Sequence, residues 1–206
     1  MVIYAKDKKE RSLGERLFLK AYRSKTPKSA MIRKPYPPGP HGKNRRGGSE
    51  FSNQLKAKQK IKLTYRVNEV QLKNIFLSSS KIHGGIGDKM IESLERRLDN
   101  TLFRAGIFDS RIMARQAVGH GHVLVNGKKT TSPGFQISVN DVISPRPESI
   151  EKALYRGREE ILNSFMTPSY LRVDPKKLEI TVLALPLQIE HTFNINAVVE
   201  YFSKVS

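Results

Sequence analysis

Apolar positions along this chain switch between helical and strand spacing. Ser52 to Tyr65 sets Leu55, Ile61 and Leu63 among Lys56, Lys58, Lys60 and Lys62, which predicts a helix with a thin apolar stripe and a wide basic face. Asn68 stands as an N-cap with Gln71 at capping-box spacing, and Leu72, Ile75 and Phe76 then share one face. Residues 81–87 are Gly-rich and read as a mobile loop. A stronger helical pattern runs from about Asp88 to Ala105, with Ile91, Leu94, Leu98 and Leu102 as its stripe and Gly106 as its stop.

The spacing then changes. Ser110 caps a helix that turns Met113, Ala114, Ala117 and Val118 inward, and Gly119-His120-Gly121-His122 ends it. Val123 to Val125 reads as a strand, and Asn126-Gly127 predicts a two-residue hairpin, because a type I′ turn needs positive φ twice. Phe135, Ile137 and Val139 alternate as in a half-buried strand, and Val142-Ile143 opens the next. Glu148 to Phe165 reads as a helix, Pro168 to Asp174 as a strand leaving a turn, and Leu178 to Pro186 as an extended stretch. Asn194 is the N-cap of a closing helix that carries Ala197, Val198, Tyr201 and Phe202.

Charge changes this picture. The 206 residues carry 37 Lys and Arg against 19 Asp and Glu, a formal charge of +18. Residues 1–66 hold 19 basic and 4 acidic residues, a net of +15, while residues 67–206 hold 18 and 15, a net of +3. Lys34 to Gly48 contains four prolines, which forbid helix, and reads as an extended basic arm. Tyr22, Tyr36 and Phe51 interleave with its cations, which suits a nucleic-acid surface where rings stack on bases and cations meet phosphates. The competing reading is a disordered solubility tail.

Arg96, Arg97, Arg104, Arg111 and Arg115 decorate the two central helices with few acids facing them, and Lys128 and Lys129 follow the hairpin turn. The helix start near Arg111 adds amide donors for phosphate. The alternative is a solvated helix face. The absence of Cys excludes disulfides, thiolate zinc sites and a Cys nucleophile. His120 and His122 with His41 form a weak ligand pattern, so no metal and no cofactor are expected. No nucleotide-loop, metalloprotease or nucleophile-elbow motif occurs, and no enzyme activity is expected. No apolar run reaches membrane length, and the charged residues 1–11 argue against a secretory signal.

Two helices, an Arg-rich helix start, His-Gly-His and a Val-Asn-Gly hairpin resemble the alpha-L RNA-binding motif, at about residues 96–144. The flanks narrow this. Leu17-Phe18-Leu19-Lys20, Pro35-Tyr36-Pro37-Pro38-Gly39, His41-Gly42, Gln54-Leu55 through Lys60, Leu94 through Asn100, Ala114-Arg115-Gln116 and Val199-Glu200-Tyr201 are similar, in order and spacing, to the small-subunit ribosomal protein four family, from about Ser12 to Lys204. The resemblance implies an α+β protein. A basic extended arm would occupy residues 1–50. A discontinuous helical domain would take 51–93 and 187–206, and a mixed α/β RNA-binding domain 94–186.

It also implies binding to a multi-helix junction in the 5′ domain of small-subunit ribosomal RNA, early in assembly, and contact with messenger RNA where it enters the subunit. Protein five of the small subunit would be a neighbour, in a bacterial or plastid ribosome of the cytoplasmic or plastid compartment, with no membrane partner. The RNA-binding residues expected are Lys20, Arg23, Lys25, Lys28, Arg33, Lys34, Tyr36, His41, Lys43, Arg45 and Arg46 in the arm. Lys56, Lys58, Lys60 and Lys62 follow on the first long helix. The module adds Arg96, Arg97, Arg104, Arg111, Arg115, His120, His122, Asn126, Lys128 and Lys129. Many members bind zinc through arm cysteines. Here Ser24 and Ser29 stand at two of those positions, so a zinc-free arm is expected. Ile112 and Gly119 replace residues that are often basic, and Pro40 replaces a usual Gln, which lightens the expected RNA contact at the helix start.

Other readings compete with this one. An RNA-modifying enzyme would usually carry the module near its N-terminus, ahead of a large catalytic domain. A DNA-binding helix-turn-helix protein would not follow its recognition helix with a hairpin. Lys43, Arg45 and Arg46 either touch the message or only clamp ribosomal RNA.

Overall fold

Short polar caps start several of the helices. The computed structural model describes residues 6–19, 26–27, 29–44, 47–186 and 193–205. Ser49 accepts the Ser52 amide at 3.2 Å and opens α3, Glu50–Thr64. Asn68 and Gln71 exchange side-chain and backbone bonds in both directions, the expected capping box, and open α4, Glu69–Ser79. The closing helix, Ile195–Val205 and here α10, begins where Asn194 accepts the Ala197 amide at 3.1 Å. Before these stand α1, Lys6–Leu13, and α2, Ala30–Arg33. The first fifty residues, which the resemblance would make one extended arm, therefore carry two short helices among their described residues. Residues 34–44 and 47–49 carry no helix, as their prolines require.

The chain divides into two compact units, one made of Met1–Met90 with Glu190–Ser206 and the other of Ile91–Ile189. In the first, α10 packs along α3 and α4. Ile61, Leu72, Phe76, Val198 and Phe202 are buried, and Phe76 stacks on Phe202 with centroids 5.3 Å apart. Glu10 is also buried and accepts the Leu17 and Leu19 amides, which turns the chain back after α1.

The second unit holds α6, Leu98–Arg104, and α7, Arg111–Gly119, the latter capped by Ser110. A five-stranded antiparallel sheet follows: β1, Val123–Val125; β2, Lys128–Lys129; β3, Val142–Pro145; β4, Leu171–Asp174; β5, Glu179–Val182, in the order β2-β1-β3-β5-β4. Asn126 and Gly127 both have positive φ, 50° and 75°, so the hairpin turn is of the expected kind. Leu98, Leu102, Ala114, Ala117 and Val118 close over Val123, Val125, Ile143, Ile180 and Val182 to form one core.

Three segments depart from the pattern. The helix expected over 88–105 is broken into α5, Ile86–Glu95, and α6. At the break Arg97 is extended and bridges Gln136, Leu98 donates to Phe135 O, and Ile137 donates to Arg96 O. The backbone groups between the helices are thus satisfied by a distant segment. That segment was expected to be a strand with three inward residues. Only Ile137 is buried, and Phe135 and Val139 are exposed. The helix expected over 148–165 is two short ones, α8, Pro147–Ile150, and α9, Arg158–Asn163. Gly157 lies between them at φ +67°, a conformation that ends helical bonding.

Candidate nucleic-acid interface

The arginines of the second unit do not stand without acids, as the sequence suggested. Asp99, with its side chain 3% exposed, accepts Nε and Nη2 of Arg97 at 3.1 and 2.9 Å and Nη1 of Arg115 at 3.2 Å. Glu95, wholly buried, accepts Arg104 through Nε and Nη2 at 2.9 and 2.7 Å and Asn100 Nδ2 at 2.6 Å. Asn100 Oδ1 then accepts Arg111 Nε at 2.7 Å, and the Arg111 guanidinium lies 4.3 Å from the Phe103 ring centroid. Arg96 donates to Ile137 O and faces Glu92. Planar guanidinium groups are held in place this way more firmly than flexible ammonium groups could be.

The expected residues therefore separate. Arg97 is buried in its ion pair and has no surface to offer RNA. Arg96, Arg104, Arg111 and Arg115 are partly exposed on the face of α5 to α7. Arg111 spends Nε on Asn100, while Arg115 is the more open of the ion-paired helix arginines.

At the other end of α7, His120, Lys128 and Lys129 are exposed. His122 is partly buried. Its carbonyl accepts the Arg146 amide and the Tyr155 hydroxyl, and its Nδ1 lies 3.0 Å from Ser149 Oγ. Burial, and then the charges of Lys152, His120, Arg146 and Lys129, hold its imidazole below the usual value. Asn126 serves the fold: its amide donates to Asp141 and its oxygen accepts the Val142 amide.

In the first unit Lys58 is buried against Glu69 and Tyr201, which removes it from any RNA surface. Lys62 pairs with Glu69 and Lys60 with Glu15, both partly exposed. Lys56, Arg33, Lys34, His41 and Lys43 are exposed. Tyr36 sits between two cations, with Arg11 at 5.0 Å and Lys43 at 5.6 Å from its ring centroid. Arg11 also donates Nε to the carbonyls of Lys34 and Tyr36, each at 3.0 Å, and so ties α1 to the proline stretch. Lys20, Arg23, Lys25, Lys28, Arg45 and Arg46 lie outside the described residues, as does Ser24.

Sequence reasoning missed the acids Glu95 and Asp99, the linking Asn100, and the cations Arg146 and Lys152. The signal for the first group was present, since Glu95 and Asn100 flank the arginine pair, but charge counting treats acids only as subtraction. Among the described residues no group of three or more His, Asp or Glu is placed to hold a metal ion. No helix among them is long and apolar enough to cross a membrane.

Comparison with known proteins agrees with this architecture. Residues 2–95 match the family "Ribosomal protein S4/S9 N-terminal domain" and residues 96–143 match the "S4 domain". The chain is 38% identical over 193 residues to "Small ribosomal subunit protein uS4" of Halothermothrix orenii, covering 93% of each chain. It is 40% identical over 194 residues to the protein of that name from Syntrophomonas wolfei, again covering 93% of each. It is 41% identical over 178 residues to that from Nocardioides sp., covering 85% of this chain and 88% of the relative. An N-terminal helical unit that recruits its last helix from beyond an arginine-bearing S4 domain, matched by relatives along nearly the whole chain, places this protein in the uS4 family.

Proposed function

We propose that this protein is a structural constituent of the small ribosomal subunit and works by binding ribosomal RNA, without catalysis. The observation that carries this is the arginine array on α5 to α7, where buried Glu95 and Asp99 orient guanidinium groups at the surface of a domain of known RNA-binding type. Its relatives' names supply the particle. Oriented guanidinium groups fit phosphates on a fixed RNA shape, and A-form RNA is read largely through shape and backbone.

The finer reading is that the RNA partner is a junction in the 5′ domain and that binding there nucleates assembly of the body. Exposed Lys43, with Arg45 and Arg46, contacts messenger RNA where it enters, and thereby bears on accuracy. Protein five is a neighbour within the particle, in a bacterial cytoplasm or a plastid. The charge of residues 1–66 supports these points without choosing among them. A DNA-reading helix-turn-helix role is disfavoured, because β1 and β2 follow α7 directly.

The test is binding of the full chain to a 5′-domain transcript. Arg115→Ala should weaken it about tenfold or more, as loss of a charged hydrogen bond costs about 1.5–3 kcal/mol. Equal affinity in a variant with an unchanged circular dichroism spectrum would overturn the placement of RNA on this face.

A further inference from the structure

We propose that the buried Tyr170 hydroxyl is a reserve hydrogen-bond donor for Glu95, taking over from Arg104 when that guanidinium is drawn to an RNA phosphate. The proposal rests on the RNA-binding reading above. It adds to that reading a positioning residue that itself touches no RNA.

Tyr170 stands just before β4 and is 9% exposed. Its carbonyl accepts the Leu183 amide at 2.9 Å and the Ala184 amide at 3.4 Å. Its side chain belongs to the same core as Leu98 and Leu102 of α6. Its hydroxyl is buried and has no hydrogen-bond partner among the described residues. A hydroxyl taken out of water with nothing to bond costs free energy, and phenylalanine would fill the same space without that cost. The free protein thus carries a polar group that works against its stability, and the use of that group lies in another state. Its surroundings say which one. Burial raises the Tyr170 pKa, the Glu95 carboxylate raises it further, and Arg104 and Arg111 pull against both. The phenol therefore keeps its proton through the neutral range and is a donor beside the arginine array.

Glu95 is the group that can need such a donor. It is wholly buried, and it accepts Arg104 through Nε and Nη2 at 2.9 and 2.7 Å. The Arg104 side chain is 28% exposed, so one guanidinium faces a buried carboxylate on one side and solvent on the other. A phosphate arriving from solvent competes with Glu95 for the same charge. Drawing Arg104 outward leaves a buried carboxylate short of donors, which is costly. Asn100 is already spent, because its Nδ2 serves Glu95 and its Oδ1 holds Arg111. A hydroxyl that donates only at that moment lowers the cost of letting Arg104 go, and it leaves the ion pair of the free protein alone.

The test is a stability cycle in the full chain, followed by circular dichroism in urea, with transcript binding measured beside it. Tyr170→Phe alone should leave the urea midpoint unchanged or raise it. In an Arg104→Ala chain, where Glu95 has already lost its guanidinium, the same change should lower the midpoint by about 0.3–0.5 M, the size of one net hydrogen bond. Arg104→Gln replaces the alanine variant if that chain folds too poorly to measure. The same shift in both backgrounds would overturn the proposal. Where the parent chain binds the 5′-domain transcript, Tyr170→Phe should weaken binding about threefold to tenfold, and unchanged affinity would equally overturn it. A parent chain that fails to bind the transcript removes the ribosomal reading, and a stability cycle that comes out as expected then still supports Tyr170 as the donor held for Glu95.

Discussion

Lys58 is a cation that has left the solvent. Its Nζ lies 2.6 Å from Glu69 Oε1, 3.0 Å from the Tyr201 hydroxyl and 4.1 Å from the Tyr201 ring centroid, and its side chain is 5% exposed. Burial alone would lower the Lys58 pKa, but the bonds and charges of Glu69 and Tyr201 outweigh it and raise the value. For Glu69 burial pulls upward, and Lys58 and Lys62 bring the carboxyl below its ordinary range. The raised lysine contributes stability that is present below its unfolded value and lost as pH climbs through the folded one. The depressed carboxyl contributes stability that is present above its unfolded value and lost as pH falls through the folded one. Lys58→Ala should therefore lower stability by about 2–3 kcal/mol near neutrality. That is less than a fully buried pair costs, because Glu69 can rehydrate. It should also shrink the loss seen on acidification below the ordinary carboxylate range. Urea unfolding at neutral and acid pH checks both, and equal stability of variant and parent at neutral pH would show that the pair contributes nothing.

At the scale of elements, the junction of α5 and α6 depends on Asn100. Its Nδ2 donates to Glu95 O, the last carbonyl of α5, and to Glu95 Oε2, while its Oδ1 holds Arg111. Asn100→Ala removes all three bonds and leaves buried Glu95 short of a donor. It should cost about 2–3 kcal/mol, read as a lower midpoint in urea, and should weaken transcript binding through Arg111 even where the fold persists. Asn100→Asp keeps the size and the acceptor but puts a second carboxylate beside Glu95, so it should be no better than alanine. This junction also shows what the sequence could and could not reveal. The capping box at Asn68 is visible because it satisfies itself within four residues, and the Asn126-Gly127 turn because two adjacent residues suited to positive φ mark it. The break at Arg97 is invisible because its partners, Phe135 to Ile137, are some forty positions away; Arg96 and Ile137, which bond through Arg96 Nε, are 41 apart. The apolar stripe of α3 was thin for a related reason. Its buried side runs through Gln54 and Lys58, whose Nε2 and Nζ donate to Glu200 and Tyr201 of α10.

For the whole molecule, the formal charge of +18 overstates what RNA can meet. Lys58 and Arg97 are buried in ion pairs, and Lys60, Lys62 and Arg104 already face carboxylates. Affinity for the transcript should still fall steeply with salt, but contributions should differ from residue to residue. Removing exposed Lys56 should reduce the log–log slope by about 0.7–0.9 if it meets a phosphate, and removing Lys58 should leave the slope unchanged. Titrations of both variants between low and physiological salt decide this, and equal changes in slope would refute the division between surface and structural cations.

The return of α10 to α3 sets an order of events during synthesis. Everything that α10 covers is made first, and the whole second unit is made before α10 exists. The second unit is one continuous stretch of chain, so it can reach its final form while the polypeptide is still growing. The first unit cannot, because Gln54, Lys58 and Phe76 wait for Glu200, Tyr201 and Phe202. The nascent protein thus passes through a stage with a finished S4 domain and an open, strongly basic leading segment. A premature stop between the two units would preserve the later-made domain and leave the earlier-made one unfinished.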